Sequence, residues 1–122
     1  MHRRKLIQSF FHAIKGIYYA CRNERNMIIH IIIAFIVLTT AFLLHLEKIE
    51  FLIILICIAL VLTLEIVNTA FEYMVDLFHG KQENTIVMML KDVASAAVLI
   101  ASIFSAIIGV WILLPKIMTI FY

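Results

Sequence analysis

Three long apolar stretches constrain this chain more than any other feature of its sequence. They run over residues 27–46, 51–77 and 93–114, and each has about the 20 residues that a helix needs to cross a bilayer. Helices are expected for all three, because isolated strands would leave backbone N–H and C=O groups unpaired in lipid. Hydrophobic residues make up 65% of the 122 residues, more than a soluble domain of this size could bury. We therefore predict one all-α integral membrane domain over residues 1–122.

The first 24 residues have a different pattern. Apolar side chains recur there at helical spacing, and basic and polar side chains fall largely on the opposite side. This pattern predicts an amphipathic helix that lies in the membrane interface. Residues 3–5 resemble the basic start of a signal peptide, but polar residues such as Gln8 and His12 interrupt any apolar core. An interfacial helix over residues 1–24 is the better interpretation.

The basic residues are unevenly distributed between the two sides of such a protein. With three spans, only Lys48 and Lys116 lie on one side, and eight basic residues lie on the other: Arg3, Arg4, Lys5, Lys15, Arg22, Arg25, Lys81 and Lys91. The positive-inside rule predicts a cytoplasmic N-terminus and an external C-terminus in a cell membrane. The segment from His79 to Leu90 is then expected to be a cytoplasmic loop.

The second apolar stretch contains polar residues that lipid does not favour. Glu65, Asn68, Glu72 and Asp76 lie three or four residues apart and therefore share one face of a helix, which we call the acidic stripe. Glu65 is expected at membrane depth, and Glu72 lies about 10 Å nearer the cytoplasmic surface. An acid at such depth costs at least about 2.5 kcal/mol, so it is a candidate functional residue.

Each polar residue also has a structural interpretation. Glu65 and Asn68 could join helices by hydrogen bonds, and Asp76 is near enough to water to be simply solvated. Glu24 is either an acid favoured at a helix start or an oxygen ligand for Mg²⁺ beside Glu72. Lys91 and Asp92 either flank a span or contact phosphate.

No nucleotide-binding glycine loop and no Cys/His metal cluster occurs in the sequence. The five histidines are scattered, and we predict a ligand role for none of them.

The motifs EIVNTAFEYMVD at 65–76 and KDVASAAVL at 91–99 resemble the bacterial diacylglycerol kinase family, and the similarity covers essentially the whole chain. The motif NERN at 23–26, together with His30, is more similar to the undecaprenol kinase branch of that family than to the diacylglycerol branch.

The resemblance implies a homotrimer of three-span subunits with shared active sites, which uses MgATP to phosphorylate a membrane lipid alcohol. Undecaprenol is the favoured acceptor, and diacylglycerol is the alternative. The resemblance also implies individual roles: Glu65 as general base, Glu24 and Glu72 as ligands for Mg²⁺ and ATP, Lys91, Asp92, Asp76 and Lys5 as nucleotide contacts, and Asn68 and Ser95 at the lipid.

Two non-enzymatic hypotheses remain open from the sequence. One is a small oligomeric channel or proton-coupled transporter that titrates Glu65, and the other is a scaffold whose acids only join subunits.

The segment before Lys91 departs from the family pattern, because bulky residues 86–90 replace small ones. No nucleic-acid partner is expected, since the basic residues flank spans.

Overall fold

A computed structural model describes residues 2–80 and 84–122, and it describes the side chains from residue 5 onwards. All regular elements in these residues are helices. They are α1 (His2–Asn23), α2 (Arg25–Leu43), α3 (Lys48–His79) and α4 (Thr85–Phe121).

Helices α2, α3 and α4 are each long and apolar enough to cross a membrane, which confirms the predicted all-α membrane fold with three spans. Only 11–17% of the residues in their most apolar segments are buried within the single chain. Most of their large apolar side chains are therefore directed away from the chain's own core. A surface of this kind is stable only against lipid or other apolar protein surfaces.

Glu24 is the single non-helical residue between α1 and α2. Its backbone is extended (φ −112°, ψ 115°), although its N–H still donates to the carbonyl of Ala20 at 3.0 Å. The chain therefore changes direction at one residue. The Glu24 side chain makes no capping hydrogen bond to α2, so its carboxylate is not used up in starting that helix.

Helix α3 is defined at both ends by its own residues. At its start Glu47 and Glu50 form a reciprocal capping box, in which the Glu47 N–H donates to Glu50 Oε2 at 3.2 Å. At its end Gly80 adopts φ 66°, a left-handed conformation that costs glycine little because it lacks a Cβ. The Gly80 N–H donates to the Asp76 carbonyl at 2.8 Å.

The predicted cytoplasmic loop from His79 to Leu90 is too long. Residues 85–90 belong to α4, which begins six residues before Lys91. The cause is Asn84, whose side-chain oxygen accepts a hydrogen bond from the Ile86 N–H at 3.0 Å and so caps the helix. Lys91, Asp92 and Ser95 consequently lie within a helix that also continues through Pro115.

Helices α3 and α4 run antiparallel, and an ion pair joins them near each end. Asp76 Oδ1 lies 2.5 Å from Lys91 Nζ at one end, and Glu50 Oε2 lies 2.8 Å from Lys116 Nζ at the other. The two pairs are about 38 Å apart along the helices at 1.5 Å per residue, somewhat more than the apolar thickness of a bilayer. The pairs therefore fix the register of the two helices, and the hydrocarbon layer fits between them.

Small residues allow the helices to approach closely. Ala34 and Ala41 of α2, Ala101 of α4, and Ile54 and Val61 of α3 are all buried in the chain's core. The same α3 face continues into the polar residues of the acidic stripe.

Candidate active site

The acidic stripe begins in the centre of the helix bundle and becomes more exposed towards the end of α3. Glu65 is 2% exposed and Asn68 is 5% exposed, whereas Glu72 and Asp76 are half-buried. The stripe therefore connects a carboxylate inside the bundle with carboxylates that solvent can reach.

Two hydrogen bonds organise the buried part of the stripe. The Asn68 side-chain amide donates to Glu72 Oε1 at 3.4 Å, and the Thr69 hydroxyl donates to the Glu65 carbonyl at 2.9 Å. The other polar atom of Asn68, Oδ1, is buried and has no hydrogen-bond partner among the residues that the structure describes. Such an acceptor normally has a partner, so a donor from a bound molecule would fit this position.

His30 of α2 faces the buried acid. Its Nε2 lies 3.8 Å from Glu65 Oε2, and its side chain is 21% exposed. A ligand role is predicted for no histidine, and this stays a prediction, but the position of His30 beside Glu65 was not foreseen. A protonated imidazole at this distance from a buried carboxylate would partly offset the cost of placing the acid in the bundle.

Glu24 approaches the stripe from the corner between α1 and α2. It lies beside the Tyr73 hydroxyl, near enough to Glu72 for their negative charges to repel. Tyr73 in turn packs against Tyr19 of α1, with ring centroids 5.7 Å apart. The fold thus brings Glu24 close to Glu72, and their role as a pair of oxygen ligands stays a prediction.

Lys91 is held by the last acid of the stripe. Its 2.5 Å contact with Asp76 places the ammonium group beside the exposed end of the stripe, with both side chains about one-third to two-fifths exposed. This contact joins the last part of α3 to the first part of α4, although Asp76 and Lys91 lie 15 positions apart in sequence.

The remaining predicted residues are less closely placed. Asp92 and Ser95 are exposed on the first part of α4, and the Ser95 hydroxyl donates to the Asp92 carbonyl at 2.9 Å. Lys5 is exposed near the other end of α1, about 27 Å along the helix axis from Asn23. Their roles at a nucleotide or lipid stay predictions.

The described residues contain no group of three or more metal-ligating side chains. Mg²⁺ does not require one, because it commonly takes one or two carboxylates together with phosphate oxygens and water. Glu24 and Glu72 supply two such carboxylates, and neither is committed to a salt bridge in the described part of the chain. The donor set therefore fits Mg²⁺ bound together with a nucleotide.

A buried carboxylate is thus followed on the same helix face by acids that solvent can reach, the last of them paired with Lys91. The sequence model of the prokaryotic diacylglycerol kinase family matches residues 11–113, and the chain belongs to this family. The family expected from the motifs is thus confirmed.

Two curated relatives are similar over most of the chain. A diacylglycerol kinase from Synechocystis sp. is 40% identical over 93% of this chain, which spans 65% of that relative's length. An undecaprenol kinase from Bacillus subtilis is 41% identical over 94% of this chain and 95% of the relative. Similarity of this degree does not separate the two acceptor lipids.

One signal in the sequence could have identified His30. Glu24, immediately before α2, lies near Glu72 of α3, and α2 and α3 run antiparallel. Six residues further along α2 is His30, and seven residues back along α3 is Glu65, so both lie about 10 Å deeper. Pairing the two acids first would have placed the histidine next to the buried one.

Proposed function

We propose that this chain is an ATP-dependent lipid kinase that transfers the γ-phosphate to the hydroxyl of a membrane lipid alcohol. The observation that carries the proposal is the acidic stripe in a member of this family. Glu65 is buried within the helix bundle, and the same helix face leads to Glu72 and Asp76, which solvent and hence a nucleotide can reach. A reaction between a lipid and a soluble phosphate donor needs a site that apolar and aqueous substrates can both reach.

The chemistry is a single phosphoryl transfer. Glu65 takes the proton from the lipid hydroxyl, whose oxygen forms a new bond to the γ-phosphorus of ATP. The bond from the γ-phosphorus to the bridging oxygen breaks, and ADP leaves with the electron pair of that bond. Reactions of this kind depend on positioning and charge neutralisation more than on covalent catalysis. The rigid placement of Glu65 by the bundle supports the positioning role.

The exposed end of the stripe would hold the nucleotide. Glu24 and Glu72 would bind Mg²⁺, which neutralises phosphate charge when it is present. Asp76 would hold the Lys91 ammonium ready for a phosphate oxygen, and Asp92 and Lys5 are further nucleotide contacts by resemblance. Asn68 Oδ1, which has no hydrogen-bond partner in the described part of the chain, and Ser95 would contact the lipid.

Undecaprenol is the proposed acceptor, because the NERN motif at 23–26 and His30 are similar to the undecaprenol kinase branch. The chain matches 95% of the length of the B. subtilis relative, which is named undecaprenol kinase. Diacylglycerol is the second candidate, favoured by the Synechocystis relative that is named diacylglycerol kinase.

The assembly and orientation are also proposals. A homotrimer follows from the resemblance, and the extensive apolar surface of α2–α4 would allow one. The distribution of basic residues supports a multi-pass protein of the cell membrane with a cytoplasmic N-terminus and an external C-terminus.

The proposal is tested by following labelled phosphate from MgATP to undecaprenol and to diacylglycerol in lipid–detergent micelles. We expect transfer to one of these lipids by the unaltered protein and transfer at least about 100-fold slower by Glu65→Gln. Glu47→Gln is the matched control, because this exposed acid lies in the turn before α3, far from the stripe. Absence of transfer to either lipid, with no ATP turnover above that of Glu65→Gln, would contradict the proposal and favour a channel or a scaffold.

A further inference from the structure

A groove of about 600 Å³ lies between α2, α3 and α4 on the side of Glu65 that leads towards the Glu50–Lys116 end. Its walls are almost entirely apolar, and they extend along α4 from Ser102 to Ile117, about 22 Å at 1.5 Å per residue. His30 and Ser102 lie at the end of this groove nearest the acidic stripe. The groove therefore has a long apolar part and a polar end.

The hydroxyl of Ser102 is buried and lacks a hydrogen-bond partner among the described residues. Hydroxyl side chains inside helices usually donate to a carbonyl of the preceding turn, as Thr39, Thr40 and Thr69 do in this chain. An unpaired buried hydroxyl costs free energy, and a bound molecule with a hydroxyl of its own could remove that cost.

The ion pair between Asp76 and Lys91 sets the depth of Ser102. Glu65 lies 11 residues before Asp76, and Ser102 lies 11 residues after Lys91. Since α3 and α4 run antiparallel, both residues are about 16 Å from the ion pair along the helices. Ser102 is thus level with Glu65, although the two lie on different helices.

His30 of α2 lies at the same depth as Glu65 and Ser102. It lines the groove, and its Nε2 lies 3.8 Å from Glu65 Oε2. Helices α2, α3 and α4 therefore each contribute one polar side chain at a single depth, in surroundings that are otherwise apolar.

We propose that Ser102 and His30 bind the hydroxyl of the acceptor lipid and hold it next to Glu65, with the lipid's hydrocarbon chain in the groove. This inference rests on the proposed lipid kinase function and adds the residues that select an alcohol at the end of a long apolar chain. The lipid oxygen can accept hydrogen bonds from the Ser102 O–H and from an imidazole N–H, while its own O–H donates to Glu65.

The kinetic test compares Ser102→Ala with Thr119→Ala, a matched hydroxyl deletion at an exposed position of α4 outside the groove. Alanine is favourable in a helix, so both variants are expected to fold. We expect Ser102→Ala to raise KM for the lipid about 3- to 10-fold, with KM for MgATP unchanged, while Thr119→Ala resembles the unaltered protein. Equal effects of both variants, or a change in KM for MgATP, would overturn the proposal. For His30, Gln should retain more lipid affinity than Leu, because it keeps hydrogen-bonding groups.

A binding test separates this inference from the kinase activity. Cys57 lines the groove, and Cys21→Ser leaves it as the sole thiol. We expect a membrane-permeant maleimide to label Cys57, the lipid alcohol to slow labelling more than its methyl ether does, and this difference to disappear in Ser102→Ala.

The outcomes of the two tests are distinct. Protection of Cys57 that depends on Ser102, without any phosphate transfer, would support the hydroxyl-binding site and contradict the kinase function. Phosphate transfer without such protection would support the kinase function and contradict the hydroxyl-binding site. A Cys57 that is inert without lipid would mean that a second copy of the chain fills the groove, which also overturns the proposal.

Discussion

The ammonium group of Lys91 lies 2.5 Å from the carboxylate of Asp76, and this ion pair joins α4 to α3 beside the half-buried Glu72. The pair has a structural effect, because it sets the register of the two helices. It also keeps a positive charge next to the acids proposed to hold MgATP. Replacing one partner should therefore affect the nucleotide more than the lipid.

We expect Asp76→Asn to raise KM for MgATP several-fold, because the Lys91 ammonium is no longer held beside the proposed phosphate site. KM for the lipid should change little, since Glu65 lies about 16 Å away along α3. Steady-state kinetics with each substrate varied in turn measures both constants. A selective rise in KM for the lipid would contradict this assignment.

The ion pair between Glu50 and Lys116 serves as a comparison for the pair between Asp76 and Lys91. Glu50→Gln removes the charge that contacts Lys116, but glutamine can still complete the capping box with Glu47. Exposed ion pairs contribute little to stability, so we expect a small decrease in melting temperature and unchanged phosphate transfer. Thermal unfolding in micelles and the transfer assay would measure this. Loss of transfer would mean that the Glu50–Lys116 end also takes part in the chemistry.

Ala101 packs between α3 and α4 next to the level of Glu65, and it is only 6% exposed. We expect Ala101→Leu to destabilise the protein by about 1–3 kcal/mol, because a larger side chain forces the helices apart. Exposed Ala97 on the same helix is the control, and Ala97→Leu should be tolerated. Equal melting temperatures of the two variants would show that α3 and α4 are not closely packed at Ala101.

The start of α4 depends on Asn84. Asn84→Ala removes the hydrogen bond to the Ile86 N–H and should cost about 1 kcal/mol, whereas Asn84→Asp should retain the cap. Hydrogen exchange at the first turn of α4 is the direct measurement. Faster exchange in the alanine variant alone is expected, and equal protection in all three proteins would contradict the capping role.

The three spans and the acidic stripe could be predicted because they depend on residues within one segment. Chain length and apolar character define a span, and the spacing of Glu65 and Glu72 places them on one helix face. The start of α4 was missed because a single side chain, Asn84, outweighs the turn-like composition around it. Local composition alone does not reveal such a cap.

Contacts between helices were harder to predict from the sequence. His30 and Ser102 join Glu65 at one depth only because α2 and α4 pack against α3 in a particular register. The ion pair of Asp76 with Lys91 sets that register for α4, and the position of Glu24 near Glu72 reflects it for α2. Neither pairing is visible in hydrophobic periodicity, so periodicity alone did not place the histidine or the serine beside Glu65.

The most direct test of the proposed division of the stripe compares Glu65→Gln with Glu72→Gln, measuring MgATP binding and phosphate transfer for each. We expect Glu65→Gln to bind MgATP normally but to transfer phosphate at least about 100-fold more slowly, because it lacks the general base. Glu72→Gln should lose MgATP binding and transfer together, because it lacks a ligand for the metal and its phosphates. Normal transfer by Glu65→Gln, or normal MgATP binding by Glu72→Gln, would contradict these roles.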